Sequence, residues 1–136
     1  MKKIIIICTY VIKTIAINFV KLLTIIGYDA SYKFNLPKEE CMDKSNETLY
    51  IIMYYDEIHN LVPNNYIIYQ IEQSNSTHNK KMMNFMSTSI CVWDFSIKNY
   101  SMYCNIISPS KFYYMPFVFC SDNTKVNKTF EYDILF

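Results

Sequence analysis

The sequence predicts an all-β chain, a single-domain antiparallel sandwich, on three observations. Between residues 87 and 119 three apolar runs are separated only by a Lys98-Asn99 break and a Ser108-Pro109-Ser110 turn. Two of these runs alternate with period two: Cys91, Trp93 and Phe95 share one face against Val92 and Asp94, and Tyr100, Met102, Cys104 and Ile106 share one against Ser101, Tyr103 and Asn105. Elsewhere, short strand-like runs recur about every ten residues, and no amphipathic helix stands out beyond the N-terminal stretch.

The chain begins Met1-Lys2-Lys3 and runs into Ile4-Ile5-Ile6-Ile7, a basic start followed by an apolar run. That pattern predicts a signal peptide over residues 1–20, cleaved somewhere between 16 and 30, leaving one domain over 31–136. Lys13 and Lys21 interrupt the apolar run, so no stable membrane insertion is expected. Residues 31–36 alternate polar and apolar and form a first strand, stopped by Pro37. Residues 38–46 form a charged connector carrying Cys41, which is either a buried thiol or a disulfide tether. Residues 48–55 are apolar on both faces, the mark of a central strand. After a loop over 56–65, residues 66–71 form the next strand, with Ile67, Tyr69 and Ile71 on one face and Tyr66, Ile68 and Gln70 on the other. Residues 72–81 read as a polar loop, and 82–86 fit either a helical turn or an edge segment. Lys111 to Phe119 is rich in Tyr, Phe and Val, which suit a pleated surface. A connector over 121–128 leads to a last strand over 129–136.

Composition narrows function. Among 136 residues, 51% are hydrophobic and the net charge is +1, so nothing draws the chain to nucleic acid. A single glycine, Gly27, excludes a glycine-rich phosphate loop. Four N-x-S/T sequons, at Asn46, Asn75, Asn99 and Asn127, accord with a secreted glycoprotein. Loss of Cys8 with the leader would leave Cys41, Cys91, Cys104 and Cys120, an even number suited to a disulfide framework with three possible pairings. His59 and His78 lack ligand spacing and no C-x-x-C pair exists, so neither a metal nor a cofactor is expected. No nucleophile stands at motif spacing from a base, and the chain does not read as an enzyme.

Three segments together resemble the interleukin-18-binding proteins, immunoglobulin-like domains secreted by vertebrates and encoded by poxviruses as decoys. They are Asn46 to Met53, Pro63 to Ile71, and Ser87 to Cys91 combined with Asn99-Tyr100-Ser101 and Cys104 to Pro109. Two positions depart from the family pattern: Met53 replaces the strand cysteine and Gln70 the core tryptophan, with Trp93 available to supply aromatic mass. The resemblance implies an immunoglobulin-like sandwich, extracellular localisation, and capture of an interleukin-18-like cytokine that blocks its receptor in immune evasion. It implies a Cys41–Cys91 bridge and leaves Cys104 and Cys120 free or linking a disulfide-bonded homodimer. It orients Ile67, Tyr69 and Ile71 outward as an aromatic and apolar contact stripe, joined by Tyr66 or Phe85; a register shifted by one would place that stripe in the core instead. Two other readings stay open: a small secreted cystine-stabilised cytokine-like ligand, and a membrane-tethered adhesion domain.

Overall fold

The computed structural model describes residues 3–42, 45–54, 61–71 and 77–117, with the backbone alone for 77–81. Six strands, β1 (Lys3–Ile7), β2 (Asp29–Lys33), β3 (Thr48–Ile52), β4 (Tyr66–Gln70), β5 (Val92–Asp94) and β6 (Phe112–Tyr114), form one sheet in the order β2-β1-β3-β4-β5-β6. Every neighbouring pair is parallel. The expected all-β antiparallel, immunoglobulin-like sandwich is therefore overturned: this is an α/β arrangement.

The physical reason begins at the N-terminus. Ile4 to Ile7 are all buried, and β1 pairs with β2 on one side and β3 on the other. A continuous apolar run belongs in a parallel sheet covered on both faces, and such a strand is indistinguishable by composition from the apolar part of a leader. The helix α1 (Lys13–Ile25) follows, burying Ala16, Phe19 and Leu23 at helical spacing. Gly27 stops it: at φ 97° it takes the left-handed conformation while Ile26, Gly27 and Tyr28 donate back to the last turn. Cleavage between 16 and 30 would thus remove an interior strand and part or all of the helix packed on it.

From β1 the chain moves one way to β2 and then returns past β1 to build β3 through β6 on the other side. Parallel crossovers keep one hand, so reversing the direction of travel puts the connecting helix on the opposite face. Accordingly α1 packs with Ile4, Ile6, Ile51, Met53 and Tyr69. On the other face, α3 (Thr77–Met86) and α4 (Tyr100–Tyr103) bring Met82, Met86 and Tyr103 onto Ile5, Ile52 and Ile68. A short helix, α2 (Lys38–Met42), lies between β2 and β3 in the chain.

Five expected strands survive in part as β2 to β6, but two segments change type. Residues 97–103, read as the approach to and start of a period-two strand, form a 3-10 turn (Ile97–Asn99) and α4; Tyr103 and Ile107 are buried four residues apart, and Tyr100 packs partly against them. The ambiguous 82–86 segment belongs to α3. The strand expected over 129–136 lies outside the described residues.

Candidate functional site

Because all six strands run the same way, every loop that follows a strand emerges at one edge of the sheet, the carboxyl edge. At its centre the chain forks. After β1, buried Cys8 donates its N–H to the Lys33 carbonyl at 3.0 Å, and Thr9 to Ile12 lead over β1 into α1 on one face. After β3, the N–H groups of Met53 and Tyr54 both point to the Ile7 carbonyl, at 2.9 and 3.3 Å. The chain leaves β1 for β2 on one side while β3 and the later strands lie on the other, so the topological switch point of the sheet falls between β1 and β3.

The α1 side of the fork is aromatic and basic. Tyr10 is 79% exposed and Val11 90% exposed. The Tyr10 ring lies 6.0 Å from that of Phe34, which follows β2, and Phe34 makes an edge contact with Tyr32 at 5.7 Å. The Lys13 ammonium stands 5.8 Å from the centroids of both the Tyr10 and the Phe34 rings. Behind β2, Lys33 pairs with Glu40 of α2, whose other carboxylate oxygen accepts a hydrogen bond from the Tyr50 hydroxyl at 3.3 Å.

At the far end of the same edge lies Asp94, the last residue of β5 and fully buried. Its carboxylate accepts the Ser96 N–H at 2.7 Å, the Asn99 side-chain amide at 3.0 Å and the Tyr103 hydroxyl at 2.7 Å. Burial raises its pKa, and these three donors pull it back down. With its oxygens turned to protein donors, Asp94 fastens the 3-10 turn and α4 to the end of β5. Nearby, the Tyr69 hydroxyl donates to the Met115 and Pro116 carbonyls, at 3.2 and 3.1 Å, and Phe95 stacks on Phe117 with centroids 5.0 Å apart. Burial first, then the Asp94 charge, raises the Tyr69 phenol. Among the described residues, no three of His, Cys, Asp and Glu converge to hold a metal ion, and no helix is long and apolar enough to cross a membrane.

The residues expected to contact a cytokine do not form a surface. Tyr66, Ile67 and Tyr69 are buried, as are Ile68 and Gln70, so both faces of β4 are interior and neither register presents a stripe outward. Ile71 is partly buried against the α1-side core, and Phe85 packs into the opposite core, its carbonyl accepting the Tyr66 hydroxyl at 2.6 Å. The expected Cys41–Cys91 bridge is absent: Cys8, Cys41, Cys91 and Cys104 are all free thiols, the first three buried. Cys41 adjoins Glu40, which touches β2 and β3, whereas Cys91 precedes β5; two strand spacings, roughly 10 Å, exceed the reach of a disulfide. Of the sequons, Asn46 is exposed, but Asn99 is buried with its amide on Asp94, leaving no room for a glycan there. Asn75, Asn127 and Cys120 lie outside the described residues. Met53 is buried, and Trp93 is half-buried against Phe19 and Tyr69.

Sequence reasoning missed Tyr10, Lys13 and Phe34 because the first two fall inside the stretch read as a leader. It placed Asp94 on a strand face without assigning it a role, although a carboxylate within an apolar run is itself a signal.

These features define a doubly wound α/β domain with its topological switch point between β1 and β3. No protein family model, no curated protein and no solved structure matches the chain.

Proposed function

We propose that this chain binds a small-molecule ligand at the carboxyl edge of its sheet, in the fork between the loops that follow β1 and β3. The observation that carries the reading is topological: β2 lies to one side of β1 and β3 to the other, with α1 and the remaining helices on opposite faces. Open parallel sheets take ligands at this switch point because only there do adjacent loops part without a helix or loop closing the gap. The reading is of binding rather than catalysis, since the one buried carboxylate among the residues described at this edge, Asp94, is committed to Ser96, Asn99 and Tyr103.

Cytokine capture drew its physical support from an outward stripe on β4, and that stripe is core. Interleukin-18 therefore enters the test as the competing ligand. Amide chemical shifts of the labelled chain, recorded against nucleotides, sugar phosphates, neutral sugars and interleukin-18, decide. The expected result is small-molecule shifts clustered at residues 8–13, 34 and 53–54. Shifts confined to the amino edge, or binding of interleukin-18 alone, would sink the reading.

A further inference from the structure

Resting on that reading, we propose that the ligand is a nucleoside phosphate, its base stacked on the exposed ring of Tyr10 with the tilted ring of Phe34 beside it, and its phosphate held by Lys13. The fork could in principle take many small molecules; three observations narrow the class.

The first is exposure in the wrong place for packing. Tyr10 keeps 79% of its surface and Phe34 39%, although the two rings touch each other. A pair that existed to fill the core would be covered, as Phe19 is nine residues further along. Flat aromatic faces left open at a ligand edge suit another flat ring, and any nucleobase offers one.

The second is charge. Lys13 makes no ion pair among the described residues, and its ammonium is gathered over the two rings rather than extended into solvent. The nearest carboxylate described on the neighbouring strand connection, Glu40, is taken by Lys33 and Tyr50. Nor does α1 carry an acidic residue anywhere along its length, only Lys13 and Lys21. A cation beside a stacking ring, paired with no carboxylate among the described residues, complements an anion attached to a ring; a neutral sugar would use the rings and ignore the charge, and free phosphate would do the reverse.

The third is backbone chemistry. Gly27 lies at the far end of α1, so the connection after β1 is Cys8 to Ile12, with side chains throughout. A pyrophosphate needs glycines to let the backbone approach it closely. A single phosphate met by a long lysine side chain has no such requirement, so a monophosphate fits and a dinucleotide does not.

The probe is adenosine 5′-monophosphate, titrated into the full chain by calorimetry with amide shifts recorded in parallel. Adenosine, inorganic phosphate, NAD and glucose 6-phosphate are the comparison ligands. Tyr10→Ala should weaken the monophosphate about tenfold, the worth of one stacked base. Lys13→Gln should bring its affinity down to that of adenosine and remove its dependence on salt, while leaving adenosine unchanged. Both side chains are largely or partly open to solvent, and an unchanged melting temperature in each variant establishes that folding is intact. No binding of the monophosphate at millimolar concentration, or binding that neither substitution alters, would overturn the ligand class. In that event glucose 6-phosphate shifting residues 8–13 would leave the carboxyl-edge site standing, whereas silence of those amides toward every probe would remove both.

Discussion

Replacing Tyr103 by phenylalanine deletes one oxygen from the most tightly bonded part of the fold. Tyr103 and Asp94 are both fully buried, and the hydroxyl sits 2.7 Å from Oδ2. A hydrogen bond to a charged group contributes about 1.5–3 kcal/mol, against about 0.5–1.5 kcal/mol for one between neutral groups. Where the carboxyl is ionised, Tyr103→Phe should therefore lower stability by about 2 kcal/mol. The pH dependence follows from burial, which raises the Asp94 pKa in the folded state, while the Tyr103 hydroxyl, Ser96 N–H and Asn99 amide lower it. A raised folded pKa means that the folded state prefers the neutral carboxyl. The resulting stability is present in full below the ordinary aspartate value and is lost as pH rises through the folded one. Losing Tyr103 raises that pKa further and deepens the loss, so the variant should be penalised more at pH 7 than at pH 4. Urea unfolding at the two pH values measures this through the midpoint, provided the slope is unchanged. A penalty below about 0.5 kcal/mol at pH 7, or one larger at pH 4, would refute the assignment of Asp94 as an ionised, Tyr103-bonded anchor.

Other consequences concern the cores and the thiols. Phe19→Ala removes the ring that meets both Tyr69 and Trp93; it should cost about 3–5 kcal/mol and erase near-ultraviolet dichroism from Trp93. Under native conditions at pH 8, an alkylating reagent followed by peptide mass mapping should modify Cys104 quickly and Cys8, Cys41 and Cys91 only on unfolding. Burial pushes the Cys91 thiol up to about 11. Its contribution is accordingly full below the ordinary thiol value and lost as pH rises toward 11, so Cys91→Ala should flatten the alkaline fall in stability.

How the sequence misled is instructive at particular residues. The strands β3 and β4 were legible because residues 48–52 and 66–70 are apolar on both faces, and that same property pointed to burial on both sides rather than to a half-exposed sandwich. Direction was not legible: period-two alternation is identical in parallel and antiparallel strands, and only the connecting helices distinguish them. Of those, α1 was concealed by its position behind four isoleucines that read as a leader, and α4 by a run short enough to satisfy both periods. The candidate site suffered with the helix, since Tyr10 and Lys13 acquire meaning only once β1 is an interior strand of a sheet. The Asp94 cluster needed distances, because nothing in the spacing of residues 94, 96, 99 and 103 announces one carboxylate serving three donors.

The central claim is that residues 3–25 are an interior strand and the covering helix of a parallel sheet, without which no fork exists. It is tested most directly by comparing the full chain with one that begins at residue 21, the product a cleaved leader would leave. Ile4 to Ile7 alone bury side chains worth about 1.5–3 kcal/mol each, together comparable to the whole net stability of a domain this size. Cooperative urea unfolding of residues 1–136 and none of residues 21–136 is the result this account predicts. A cooperatively folded 21–136 chain would contradict it.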